Sequence, residues 1–283
     1  MPPHPDAAGL SVITLSVGSM SVVVDPSDGG RAVSWTVAGR ELLMQHGDDP
    51  IEHGMYPMAP WAGRIRGNAV PTGSGTHPLP ETYGPWALHG TVVTKPMQVV
   101  RLTITDDRAD LELVSDSHPE WPWPMVVRTR WTLHGQALTT QIEVEASDEP
   151  FPAVVGWHPW FAKMLDGVAA QWQAEIDGML VRDGSALPAA YAADVTPGPH
   201  DDAFSVPSGE CRVTWPGVLT LEIVADSGWY VVFDELPEAL CVEPQTGPPD
   251  GLVDHEWSPV QVASPGRPVR QTVSWQVRDL QAG

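Results

Sequence analysis

The sequence predicts an all-β chain folded as one large antiparallel β-sandwich in a single domain. Three observations carry that expectation. The 283 residues contain 30 prolines and 26 glycines, which interrupt the chain too often for long helices and leave Val- and Trp-rich runs of strand length between them. Within those runs polar and apolar residues alternate with a period of two, the pattern of a strand buried on one face. No stretch reads as an amphipathic helix longer than about two turns. An apolar fraction of 42% with 13 tryptophans supplies a large core and excludes a disordered chain.

The elements follow in order. Residues 1–9 read as a loose tail and 10–283 as the folded domain, with neither a composition break to mark a linker nor a fixed-period repeat. Residues 11–17 alternate cleanly, and 21–25 follow and end at Pro26, before the turn signal Asp28-Gly29-Gly30. Residues 32–37 and 41–44 flank Ala38-Gly39-Arg40 as a hairpin, so the chain opens as a meander. Residues 53–90 have little periodicity and much Gly, Pro and His, the mark of a functional or covering loop. Strand patterns return at 97–104, 110–114, 125–133 and 137–146, then at 170–176, 211–215, 219–224, 229–233 and 269–277.

The net charge is −21, from 36 acidic and 15 basic residues. With no basic stripe to offset it, this charge argues against nucleic-acid and anionic-membrane partners and disfavours strongly anionic substrates. No apolar run approaches the roughly 20 residues that span a bilayer, and the N-terminus lacks the basic and apolar regions of a secretory signal. The expectation is a cytoplasmic protein, monomer or homodimer. Cys211 and Cys241 each adjoin an apolar run and form no CxxC pair, so free buried thiols are expected.

Glu243 is the most informative single residue. It stands in Cys241-Val242-Glu243-Pro244-Gln245, between an apolar strand and a run of Pro244, Gly247, Pro248 and Pro249. A carboxylate held at such a junction suits a positioned general base, and equally a half-solvated strand-end Glu paired with an arginine. His158, in Gly156-Trp157-His158-Pro159-Trp160-Phe161, supplies a candidate acid, since the unperturbed imidazole titrates at about 6.5. On this reading Pro159 breaks the strand and holds the ring at its end; the alternative is a core histidine satisfied by the backbone. His89, before Gly90, is either a second donor or a hydroxyl-binding group, or a plain loop histidine. Arg64 offers a guanidinium fork to ligand oxygens or to a carboxylate. Asp201, in His200-Asp201-Asp202-Ala203-Phe204, is either a binding group or part of a solvated turn. HExxH, GxSxG and GxxxxGK[ST] are all missing, as is any Cys/His metal spacing. Aromatics with a few carboxylates and histidines on a β-sandwich suit a sugar, whose apolar face stacks on rings while polar groups take its hydroxyls.

Taken together these runs resemble the aldose 1-epimerase (galactose mutarotase) family. Pro60-Trp61-Ala62-Gly63-Arg64-Ile65 resembles its P-x-x-N-R-I segment, Leu88-His89-Gly90 its L-H-G, and Gly156 to Phe161 its G-x-H-P-Y-F form. Asp201 to Phe204 resembles its D-x-x-F segment, and Cys241 to Pro244 the strand bearing its catalytic Glu. The order and coarse spacing agree from about residue 10 to 277. Three positions depart: Gly63 for Asn, Trp160 for Tyr, and Gln245 for Met, and these bear on which sugar is bound. The resemblance implies a cofactor-independent, metal-independent isomerase acting on a free aldose. Glu243, ionised at neutral pH, takes the O1 proton while His158 protonates the ring O5, with Arg64, His89 and Asp201 binding the sugar. The alternatives are a hexose-6-phosphate mutarotase, drawing on Arg64, Arg66 and Arg128, a glycosidase using Glu243 with Asp201, and a catalytically silent sugar-binding domain.

Overall fold

The computed structural model describes residues 12–278, and apart from one 3-10 turn at Arg66–Asn68 its regular elements are all strands. Two antiparallel sheets dominate. The larger runs, in spatial order, Ile13–Val17, Met20–Asp25, Arg31–Val37, Met55–Met58, Gly156–Ala162, Ala239–Gln245, Trp229–Phe233, Asp201–Ser205, Gly178–Arg182 and Pro188–Ala192, with Arg40–Glu41 beside the third. The other runs Gln171–Ala174, Glu210–Trp215, Leu219–Ala225, Val269–Arg278, Ala137–Ala146, Met125–His134, Arg108–Ser115 and Gln98–Ile104. The tail expected at 1–9 lies outside the described residues.

The two sheets face one another across a core that tryptophans fill. Trp35 of the larger sheet meets Trp275 of the other edge to face at 6.3 Å, and Trp157 meets Trp131 at 4.8 Å. All four are fully buried, and each such pair contributes about 0.5–1.5 kcal/mol beyond its area burial. The alternation in the sequence is what builds this layer: Val127, Thr129, Trp131 and Leu133 turn inward from Met125–His134, and the residues between them are only partly buried. No helix of the described residues is long and apolar enough to cross a membrane.

Two strands at the centre of the larger sheet depart from that alternation. Ala239–Gln245 is buried at all seven positions and Gly156–Ala162 at six of seven, as expected of strands covered on both faces. Leu240, Val242, Trp157 and Phe161 belong to the sandwich core. Ala239, Cys241 and Trp160 belong to a second apolar cluster, with Tyr56, Leu88 and Val154, on the outer face of the same sheet. What covers that face is the Gly- and Pro-rich segment 53–90, read from sequence as largely without regular structure. It contains the strand Met55–Met58 and the hairpin Ala69–Thr72 with Gly75–Pro78.

The sequence rule that proline ends a central strand fails here twice. Pro159 and Pro244 both lie inside central strands, so His158 and Glu243 are mid-strand residues, not strand-end ones. The ladder between these two strands is made at Gly156↔Gln245 and again at Trp160↔Cys241, and is open between those pairs. Residues without an N–H are tolerated where the ladder is already open. That opening is where His158 and Glu243 face each other.

Candidate active site

Cross-strand register assembles the site. The pairs Gly156↔Gln245 and Trp160↔Cys241 put His158 across from Glu243, while His158 is paired on its other side with Tyr56. Glu243 is followed across the sheet by Val231 and then Ala203. In the adjacent row, Trp160, Cys241, Phe233 and Asp201 succeed one another. Because residues two apart on a strand share a face, Glu243 has Cys241 and Gln245 beside it, and His158 has Trp160. Above this face lies a cavity of about 240 Å³, and Arg64, His89, His158, Asp201 and Glu243 all line it. The five residues singled out from sequence therefore converge, although 179 positions separate the first from the last.

His158 Nε2 and Glu243 Oε1 are 3.3 Å apart, with both side chains buried. Burial opposes charge on each, so the Glu243 carboxyl is pushed well above the ordinary carboxylate range, with the nearby Asp201 charge adding to the effect. Burial likewise holds His158 well below the ordinary imidazole value, and His89 and Arg31 add to that. Burial thus favours the uncharged form of the pair and works against the ionised Glu243 that the resemblance implies. The carboxyl is oriented by Gln245, whose Nε2 donates to Glu243 Oε2 at 3.2 Å. Tyr56 and Trp160 both stack on the imidazole, at 4.8 and 5.3 Å between ring centres. Tyr56 is itself fixed by its hydroxyl, which donates to the Ile51 carbonyl at 2.9 Å.

The loop residues are placed by backbone zippering. The stretches 59–64 and 88–91 are joined by the bridges Ala59↔Gly90 and Arg64↔Leu88 and by Thr91 N–H donating to the Ala59 carbonyl. Gly90 has φ +85°, and a Cβ there would lie 2.0 Å from the Ala59 carbonyl oxygen, so this approach requires glycine. The preceding His89 is itself left-handed, at φ +61°. Its Nδ1 accepts from the Gly63 N–H at 3.3 Å, which leaves the proton on Nε2. Burial, reinforced by Arg64, lowers its pKa to about 3, so His89 is a neutral donor. The departure at Gly63 has a steric cause. This residue has φ +72°, and a Cβ there would stand 2.8 Å from Pro249 Cβ, which leaves no room for the Asn of the family pattern.

Asp201 lies between two guanidinium groups. Arg64 Nη1 is 3.4 Å from its Oδ2, and Arg182 Nη1 donates to the same oxygen at 2.6 Å. Arg182 also reaches Asp202 Oδ1 at 3.1 Å, and Asp202 holds His200 at 3.0 Å. Arg64 Nε has no partner within the described protein. Sequence reasoning missed Arg182, because 178–182 is too short and too weakly patterned to read as a strand. It also missed the second carboxylate, Asp202, and the Glu52–Tyr83 hydrogen bond of 3.0 Å at the rim. Gln245 and Cys241 were within reach, since the period-two rule already puts them beside Glu243. Of the arginines considered for a phosphate, Arg66 is engaged by Asp250, Asp183 and the Pro188 carbonyl. Arg128 is in the other sheet, beside Glu143.

Among the described residues, the group of side chains close enough to hold a cation is His158, Cys241 and Glu243, whose ligand atoms lie within 4.8 Å of one another. Such a site can move protons between neighbouring groups at the floor of a cavity, and can offer donors and acceptors to a small polyhydroxylated molecule.

Comparison with known proteins gives the family. The protein-family model described as aldose 1-epimerase matches residues 11–205, more than half of the chain. That stretch carries Arg64, His89, His158 and Asp201, and Glu243 lies beyond it. Among solved structures, a putative aldose 1-epimerase from Escherichia coli K12 superimposes with a TM-score of 0.83 at 21% identity, covering 95% of this chain and 99% of that one. A galactose mutarotase-like protein from Clostridium acetobutylicum gives 0.82 at 17%, covering 95% of each chain. Galactose 1-epimerase from Lactobacillus acidophilus NCFM gives 0.77 at 16%, covering 99% and 97%. At these identities the structures establish a shared fold. A search of curated proteins gives no match. With its sequence matched by the family model and its β-sandwich shared with these structures, the chain belongs to the aldose 1-epimerase family.

Proposed function

We propose that the protein is a mutarotase, interconverting the α and β anomers of a free aldose by acid–base ring opening and closure at Glu243 and His158. The observation that carries this reading is the 3.3 Å contact between His158 Nε2 and Glu243 Oε1 on the floor of the cavity. The anomeric O1 and the ring O5 are bonded to one carbon, so the groups that deprotonate one and protonate the other must be immediate neighbours. Glu243 takes the O1 proton as His158 gives one to O5, and the C1–O5 bond opens to the aldehyde. The C1–C2 bond turns, and both transfers reverse on the other face.

Either proton arrangement leaves the pair with no net charge. Imidazolium with carboxylate is the form that opens the ring, and neutral imidazole with carboxylic acid is the form that closes it. Burial favours the second in the free site. Sugar hydroxyls and Arg64 supply the polar surroundings that bring the first within reach. Because two such close groups titrate as a unit, the proton passes between them without entering water.

Arg64, His89 and Asp201 hold the hydroxyls, with His89 donating from Nε2 and Asp201 accepting between its two arginines. Trp160, lining the cavity, offers an apolar face to the pyranose. A neutral sugar is favoured over a sugar phosphate, since both lining arginines already face Asp201 and neither Arg66 nor Arg128 lines the cavity. The reading is tested by exchange NMR between anomers of a panel of free aldoses and hexose 6-phosphates. Faster exchange of at least one free aldose, lost in Glu243→Gln, is expected; exchange no faster than in buffer for every sugar overturns it.

A further inference from the structure

The mutarotase reading uses His158 and Glu243 and leaves Cys241 without a role. Cys241 sits two residues before Glu243 on the same strand, across from Trp160, with its side chain on the face that carries the site and no exposed surface. Its thiol, the His158 ring and the Glu243 carboxyl are three donors of different chemistry, gathered within 4.8 Å under a cavity. His158 Nδ1 is buried and has no partner within the described protein.

We propose that His158, Cys241 and Glu243 form a site for one borderline-soft divalent cation of the zinc class, and that its occupancy switches the enzyme off by taking its acid and its base together. That a filled site blocks turnover rests on the function proposed above; that the site binds the ion does not.

The geometry fits such an ion with little movement. Bonds of about 2.0–2.3 Å at tetrahedral angles set neighbouring ligand atoms roughly 3.3–3.6 Å apart. His158 Nε2 and Glu243 Oε1 already stand at 3.3 Å. The sulfur, within 4.8 Å of a ring nitrogen of His158 and a carboxyl oxygen of Glu243, needs to close by about 1 Å, a movement on the scale of a rotation about the Cys241 Cα–Cβ bond.

Charge also fits. A carboxylate and a thiolate offset the two positive charges of the ion, and a neutral imidazole completes the set, so a buried site gains no net charge. Gln245, donating to Glu243 Oε2 at 3.2 Å, is the outer partner that holds the carboxylate ligand in place. The fourth position is left to water, which completes the tetrahedron. One sulfur and one nitrogen among three ligands select against magnesium and calcium, which take oxygen.

The test uses the full chain and titrates it with Co2+, whose tetrahedral thiolate complexes show a near-ultraviolet sulfur-to-cobalt band and visible ligand-field bands. Wild type is expected to develop both, and Zn2+ to abolish them at one equivalent. Zn2+ is expected to inhibit anomer exchange competitively with sugar, and Mg2+ to have no effect. Cys241→Ser should keep anomer exchange within about threefold of wild type, lose the sulfur band and require at least about tenfold more Zn2+ for half inhibition. Cys241→Ala serves if the serine variant does not fold. Absence of the sulfur band in wild type, or equal Zn2+ sensitivity in the Cys241 variant, overturns the proposal. A cobalt spectrum in a protein without anomer exchange would refute the mutarotase reading and leave the cation site standing.

Discussion

Replacing Glu243 by Gln should destroy activity while leaving the protein as stable as before, or more so. The substitution keeps shape and neutrality and removes the ability to accept a proton from O1. A positioned general base contributes about 10²–10⁴-fold, so kcat for anomer exchange should fall by that factor, equivalent to about 2.7–5.5 kcal/mol of barrier. KM should stay within about threefold, because Arg64, His89 and Asp201, the groups proposed to hold the hydroxyls, are untouched. The stability expectation follows from burial. Glu243 is 2% exposed, and its folded-state pKa is raised first by burial and then by Asp201. Its sign is the reverse of the usual paired carboxylate. Above the unfolded value of about 4.3 the unfolded chain releases this proton while the native protein keeps it, so stability declines as pH rises. A glutamine cannot ionise, and its carbonyl still accepts the Gln245 amide hydrogen bond. Urea melts at pH 5 and 8 should therefore show Glu243→Gln no less stable than wild type, with any gain larger at pH 8. A kcat within tenfold of wild type would refute Glu243 as the base. A loss of more than about 1 kcal/mol of stability at pH 8 would refute the claim that burial raises the pKa of its carboxyl.

Three further outcomes are expected. His89, lowered to about 3 chiefly by burial, takes a proton only when unfolded, so stability should fall with pH below about 6.5; its share between pH 6.5 and 5 is about 1.6 kcal/mol, and His89→Gln should flatten that part of the acid limb in denaturant melts. Arg182→Gln removes the 2.6 Å donor to Asp201, so KM should rise about tenfold with kcat within about threefold, a split that steady-state anomer-exchange kinetics reads directly. Gly63→Asn, which restores the residue of the family pattern, should destabilise by about 1–3 kcal/mol through overpacking against Pro249 and lower kcat/KM by shifting Arg64, as a thermal melt and a kinetic assay would together report.

The sequence reaches furthest where one rule of periodicity suffices. Met125–His134 turns in every second residue, and its pattern announces both the strand and the face. Gly156–Ala162 and Ala239–Gln245 do not alternate, because apolar layers cover both sides, and their prolines point the reader toward a strand end. Proline in a strand is costly only where an N–H is owed to a neighbour. Whether one is owed depends on which residues of a distant strand stand opposite, and local sequence does not carry that. The segment 53–90 hides its strand for a related reason. Met55–Met58 is four residues buried at every position, too short for a period to show and ordered by the Gly156–Ala162 strand beside it.

The candidate site divides along the same line. Glu243, His158, His89 and Arg64 stand out because each interrupts an apolar or Gly/Pro-rich run with a group that needs a reason to be there. Arg182 has no such contrast: it ends a weak strand and becomes significant only when Asp201, 19 residues later, is brought beside it. Cys241 was legible as a buried thiol and not as a neighbour of the site, although the period of two already placed it on the Glu243 face. The step from thiol to third donor requires His158 to lie across the sheet from Glu243, and that is fixed by the register of strands about 80 residues apart. The residues proposed to perform acid–base chemistry are thus named by local contrast. Those that set its selectivity, and its exposure to a thiol-seeking cation, are named only by register.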